Sequence, residues 1–294
     1  MMRAACALMA VFSIAAHAAA VAVNDDRGRR IALDAPAQRI VTLAPALTEL
    51  VYAAGAGDRL IAVARFSDYP PTATALQQIG DASRIDIERV LTLKPDLIVG
   101  WKSGNQAADI ERLERLGFTA YVAEPDTLAA IPQTLRALGA LAGTSATAQR
   151  AARDFEQSIA ALRARYGARP TVPVFYEIWH APLMTVNGRH IISDVIRLCG
   201  GRNVFDGAPT LVPVVSLESV LAAQPDAIVG GGSATMTAED LAAEWRNEMP
   251  ALAALPTIYV NPDLIQRQTP RILDGARAIC ERLENVRETA DERR

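Results

Sequence analysis

Few residues in this chain of 294 could do covalent chemistry. The histidines are His17, His180 and His190, and the cysteines are Cys6, Cys199 and Cys280. A three-ligand zinc site would have to recruit carboxylates from elsewhere in the fold. No H-E-x-x-H helix, G-x-S-x-G elbow or phosphate loop occurs. Gly230-Gly231-Gly232-Ser233 follows an apolar strand pattern but lacks the Lys-Ser/Thr of a phosphate loop, so it reads as a turn that lets backbone approach a cleft. No nucleophile–base pair stands out. The side chains therefore point to binding without a catalytic cofactor or metal centre, and an enzyme or cofactor-maturation protein is the weaker class.

Two acidic residues, Glu88 and Glu218, stand out for their placement. Ile87 to Gly100 reads IERVLTLKPDLIVG and Leu217 to Gly230 reads LESVLAAQPDAIVG, each matching residue lying 130 positions after its counterpart. Each copy spells a short helix, a Pro-Asp turn and a fully buried strand. A helix-turn-strand unit duplicated at this distance implies two similar lobes with a cleft between them, the kind of interface ligand sites prefer. The same place in both copies puts one glutamate in the first turn of each helix, where the dipole favours an acid.

The elements around the repeat alternate strand and helix, which predicts α/β lobes with mainly parallel sheets. Val21 to Leu33 reads as a hairpin about Asp26-Arg27-Gly28. Strands are expected at 39–43, 60–64, 119–122, 172–178 and 257–260. Helices are expected at 48–55, 107–116, 128–141, 191–198, 237–248 and 270–286. The segment from Ser145 to Tyr166 has no strand signal; Phe155, Ile159, Leu162 and Tyr166 recur at helical spacing. At 1.5 Å per residue it spans roughly 33 Å, enough to cross from one lobe to the other. The expected organisation is a leader at 1–18, an N-terminal lobe at 19–143, a connecting helix at 144–168, a C-terminal lobe at 169–287 and a frayed charged tail at 288–294.

Composition narrows the class further. Half the residues are hydrophobic and the formal net charge is only −3, with both signs mixed along the chain, which argues against a nucleic-acid partner. Arg3, the apolar run from Ala4 to Ala16 and the small-x-small site Ala16-His17-Ala18 read as a secretory signal, too short to span a bilayer. A secreted, non-spanning protein follows, and a periplasmic monomer is the expectation. Loss of the leader leaves Cys199 and Cys280. In an oxidising compartment a lone pair usually bonds, here closing a loop of about 80 residues; the alternative is two buried thiols.

Several separated motifs now converge. Arg39 to Glu49, RIVTLAPALTE, resembles the opening of the periplasmic substrate-binding proteins that serve importers for iron chelates, haem and cobalamin. FSDYPP at Phe66 to Pro71, WKSGN at Trp101 to Asn105, CGGRNVF at Cys199 to Phe205 and DLIQRQTPRI at Asp263 to Ile272 are similar to its cobalamin-binding branch. The resemblance runs over nearly all of the mature chain. It implies two α/β lobes joined by one long helix, a disulfide between Cys199 and Cys280, and capture of cobalamin or a related corrinoid for delivery to the permease of an ABC importer. Glu88 and Glu218 then become the acids that dock, one per lobe, on the permease. A broad flat corrin ring would be gripped by aromatic faces at Phe66, Trp101 and Trp179. Asp263 and Arg267 would hydrogen-bond its periphery, and Tyr69 is a weaker candidate.

The chain departs from that pattern at Ala82 and Val212, where the family carries large indoles. This leaves a cobinamide-type precursor or another chelate open. Haem would want an iron ligand from Tyr176, His180 or His190. An anionic ferric siderophore would want convergent bases, and only Arg65, Lys102 and Arg267 offer themselves.

Overall fold

The computed structural model describes residues 21–233 and 235–291. The expected leader lies outside the described residues. A hairpin of β1 (Val21–Asn24) and β2 (Arg30–Leu33) opens the chain. The first lobe runs β3 (Ile40–Thr42), α1 (Pro45–Ala53), β4 (Leu60–Val63), β5 (Gln77–Gln78), α2 (Ile87–Leu93), β6 (Leu97–Trp101), α3 (Ala107–Arg115), β7 (Ala120–Ala123) and α4 (Ala130–Leu141). After α5 (Ser145–Tyr166) the second lobe runs β8 (Val172–Glu177), α6 (Ile191–Leu198), β9 (Gly201–Asn203), α7 (Leu217–Ala222), β10 (Ala227–Gly230), α8 (Ala238–Glu248), β11 (Thr257–Tyr259), α9 (Pro262–Ile265) and α10 (Ile272–Asp291).

Each lobe holds one parallel sheet, ordered β5-β4-β3-β6-β7 in the first and β11-β10-β8-β9 in the second. Removing the edge strand β5 makes the two orders equivalent, with the repeated strands β6 and β10 beside the central β3 and β8. These strands are apolar on both faces because helices cover both. The repeat extends to backbone detail. Asp86 and Ser216 cap α2 and α7 by accepting from the third residue's N–H. Lys94 and Gln224, each just before a proline, both hold left-handed backbone, with φ of +47° and +50°.

α5 buries Ala148, Ala152, Phe155, Ile159 and Tyr166 along one stripe. It touches α4 and α1 on one side and α6 and α10 on the other, so it joins the two sheets. One apolar cluster runs unbroken from Leu50 and Leu135 through Phe155 and Ile159 to Val195 and Ile279. Burying a side chain such as Phe155 contributes about 2–3 kcal/mol. The Cys199–Cys280 disulfide ties the end of α6 to the middle of α10.

Three local departures have simple causes. α1 begins at Pro45 rather than at Thr48, because proline's fixed φ suits the first helical position. β9 begins at Gly201 itself, straight after left-handed Gly200 ends α6, where the glycine pair signals only the end of a helix. α10 continues to Asp291, so the tail expected to fray from 288 is helical that far; Arg287 anchors it by donating to the Pro170 and Cys199 carbonyls.

His190 caps α6, its Nδ1 accepting from the Ile192 N–H at 3.2 Å, which requires an unprotonated Nδ1. Burial pushes this imidazole down to about 4, against the opposing pull of Asp194. The folded state therefore resists a proton that the unfolded chain accepts below pH 6.5. Stability present above pH 6.5 is lost as pH falls towards 4. We expect about 2 kcal/mol of this loss between pH 7 and pH 4.5 to disappear in His190→Asn, which keeps a cap acceptor without a titrating ring. Urea titrations of both proteins at the two pH values measure it; equal slopes would remove His190 from the account.

Candidate functional site

The carboxyl ends of the parallel strands carry the loops where α/β sheets bind ligands. From β11 the chain turns into α9, and the stretch after it crosses to the first lobe. Arg267 Nη1 donates to Glu49 Oε1 of α1 at 2.9 Å and to Asp68 Oδ1 at 2.6 Å. Its Nη2 pairs with Asp263 at 2.9 Å. Thr269 Oγ1 donates to Glu49 Oε2 at 2.8 Å, and Arg271 Nη1 to Glu49 Oε1 at 3.0 Å. Arg271 also stacks over the Tyr69 ring, 3.9 Å from its centre. Burial opposes charge on Asp68, but the Arg267 guanidinium outweighs it and holds the carboxyl below its ordinary range. The expected pair Asp263–Arg267 is thus in contact, inside a polar joint between the lobes.

Past the carboxyl ends of strands in both lobes, large apolar side chains stand in water. Phe66, after β4, is 68% exposed and sits at φ +65°. That backbone is rare for an aromatic residue, and it holds the ring outward with Arg65 stacked 5.4 Å from its centre. Trp179, two residues past β8, is 59% exposed, with its indole N–H donated to the Ala181 carbonyl. Single bridges link Trp179 to Met184 and Met184 to Val214, so exposed Val214 lies one short strand away from it. Leaving large apolar faces in solvent is the signature of a surface that meets a partner. Trp101 differs. It ends β6 half-buried against the core, its Nε1 buried without a partner, its ring so close over Gly104 that a Cβ there would lie 1.8 Å from Cε3.

Residues 40–258 match the family described as periplasmic binding protein. The chain belongs to the periplasmic binding protein family. A vitamin B12-binding protein of Vibrio parahaemolyticus is 38% identical over 252 residues, covering 86% of this chain and 91% of that one. A vitamin B12-binding protein of Pectobacterium carotovorum is 39% identical over 248 residues, covering 84% and 88%. The crystal structure of the periplasmic vitamin B12-binding protein of Vibrio cholerae superposes with a TM-score of 0.78 at 38% identity, covering 86% of this chain and 98% of that one. A periplasmic haem-binding protein of Pseudomonas aeruginosa gives a TM-score of 0.72 at 24% identity, a likeness of fold alone.

In this periplasmic binding protein Glu88 and Glu218 are both exposed at the second position of α2 and α7. The Glu218 carboxyl lies below its ordinary range because its own backbone N–H and Ser216 hydrogen-bond it. Shallow surface depressions of about 430 and 350 Å³ flank Glu88. The haem-iron candidates are otherwise engaged: Tyr176 is fully buried, His190 caps α6, and His180 is held by Glu177 and Glu248. Lys102 donates to the Asp26 carbonyl and Arg65 lies 3.9 Å from Asp81, so the bases an anionic siderophore needs do not converge. Ala82 and Val212 pack against the core. A Cβ at Gly231 would lie 2.8 Å from the Val260 carbonyl, so this glycine allows the segments after β10 and β11 to approach closely.

Sequence reasoning missed Glu49, Asp68, Thr269 and Arg271. All four lie inside the motifs RIVTLAPALTE, FSDYPP and DLIQRQTPRI, and the available signal was two acids, Glu49 and Asp68, in motifs separate from the one holding the bases Arg267 and Arg271.

Proposed function

We propose that this chain captures a corrinoid, cobalamin foremost, between its lobes in the periplasm and hands it unchanged to the permease of an ABC importer. The leader at 1–18 would direct secretion, and the lobes at 19–143 and 169–287 would flank the connecting helix at 144–168. The observation that carries this reading is the pair of solvent-exposed rings, Phe66 after β4 in one lobe and Trp179 after β8 in the other, each just past the carboxyl end of a parallel strand. The likeness to vitamin B12-binding proteins supports the choice of ligand. Phe66, Trp179 and the accessible edge of Trp101 would cover the ring faces. Asp263 and Arg267 would present hydrogen-bonding edges to the peripheral amides. Equilibrium titration with cyanocobalamin, cobinamide and haemin, read by tryptophan emission, tests it. Corrinoids should quench more strongly than haemin, and Phe66→Ala and Trp179→Ala should each weaken binding about tenfold. Absence of quenching by both corrinoids would sink the reading.

Delivery rests on Glu88 and Glu218, two like charges fixed by equivalent helix caps, one per lobe. Such a pair gives a two-point electrostatic register to a basic, two-fold partner. Exchanging both for lysine should cut cellular uptake at least tenfold and leave corrinoid affinity in solution unchanged. Uptake at the parental rate would remove the docking role.

A further inference from the structure

Next to Trp179 in sequence, His180 sits in a cluster of acids that corrinoid capture as proposed does not use. Glu177 closes β8 and is only 1% exposed. His180 follows in the loop, and α8 brings Glu244, Trp245 and Glu248 over both. His180 Nδ1 lies 3.2 Å from Glu177 Oε1 and 3.8 Å from Glu244 Oε2, and the three ligand atoms all fall within 4.8 Å of one another. We propose that Glu177, His180 and Glu244 form a divalent-cation site of the kind zinc occupies.

Three observations carry it. First, the spacing fits: ligand atoms about 2.0–2.1 Å from a tetrahedral ion stand about 3.3–3.4 Å apart, so closing on an ion needs only small side-chain adjustments. Second, the outer contacts are in place. His180 Nε2 meets Glu248 Oε1 at 2.9 Å, and Trp245 Nε1 donates to Glu177 Oε2 at 2.7 Å. A ligating histidine donates its other ring N–H to a carboxylate in just this way, and a ligating carboxylate is itself hydrogen-bonded. Third, Glu244, whose side chain is 36% exposed, keeps its Oε2 out of solvent 3.8 Å from His180 Nδ1, and that oxygen has no hydrogen-bond partner. A buried carboxylate oxygen left unsatisfied is costly, and an ion at the centre satisfies it.

Charge agrees. Three carboxylates surround one imidazole, and among the described residues none of the three pairs with a lysine or arginine. Burial, the largest influence on Glu177, pushes its carboxyl up, while the surrounding acids overcome burial and pull His180 up. A dication neutralises Glu177 and Glu244 and leaves a neutral imidazole donating Nε2–H to Glu248. One nitrogen with two carboxylates suits zinc better than magnesium or calcium, which take six or more oxygens. The part-exposed side of His180 and Glu244 leaves a fourth corner for water.

The test uses the full mature chain without a histidine tag, stripped by chelator and titrated with zinc chloride alone in a calorimeter at pH 7.5. We expect 1:1 binding, a rise in Tm, and no response to magnesium. Glu244→Gln, on a part-exposed helix face, should weaken zinc at least tenfold while the unliganded Tm stays close to parental, and Glu248→Gln should weaken it about tenfold. If His180→Ala folds, it should lose the 1:1 phase. A parental chain that ignores zinc, or a Glu244→Gln variant that binds it as tightly, overturns the site and leaves a protonated His180 bridging acids. Neither result bears on corrinoid capture.

Discussion

Glu49→Ala is expected to lower stability by about 3 kcal/mol, because it removes the carboxylate that holds two guanidiniums and a hydroxyl across the lobes. Glu49 is 3% exposed, so the loss is not screened by water. Arg267 keeps Asp68 and Asp263, which holds the cost at the lower end for a broken buried pair. Asp68→Ala provides the contrast. Its side chain is 54% exposed, and its pair with Arg267 should be worth no more than about 1 kcal/mol. Glu49→Gln, with one acceptor kept, should fall between. Urea midpoints for the three variants measure the ranking. A Glu49→Ala midpoint no lower than that of Asp68→Ala would mean that the joint adds nothing to holding the lobes.

Removing the disulfide should cost more. Cys199 and Cys280 are 81 residues apart, and the loop they close restricts the unfolded chain by about 4–5 kcal/mol in the chain-entropy model. Both are fully buried, so Cys199→Ala with Cys280→Ala is the suitable double variant, avoiding a buried hydroxyl. At 2–4 °C per kcal/mol for a chain of this size, Tm should drop by roughly 10 °C, and reduction of the parental chain should reproduce the shift. Thiol titration of the unfolded, unreduced mature chain should find neither cysteine free. An unchanged Tm after confirmed reduction would contradict the entropic account.

What could be read from residues alone was whatever recurs locally. The 130-residue repeat announced two similar lobes because helix, Pro-Asp turn and buried strand are each encoded within a few residues, and the structure adds the matching left-handed Lys94 and Gln224. The stripe through Phe155 and Ile159 marked α5 for the same reason. The joint was not legible. Glu49 and Arg267 are 218 residues apart, and each has a plausible local role, a helix-opening acid and a helix-end ion pair. Phe66 and Trp179 were visible as aromatics, but only the fold distinguishes their solvent-facing rings from the half-buried Trp101. Likewise His180 carried no sign of Glu244, which arrives from a helix more than sixty residues later.

The unbroken apolar cluster through α5 has a consequence for how the polypeptide can be divided. Cut at the linker, neither fragment would be a finished domain: the first would bare the flank of α4 and α1, the second that of α6 and α10. Each would need its mate as a subunit needs an obligate partner, so the two sheets share a single melting unit rather than behaving as beads on a string.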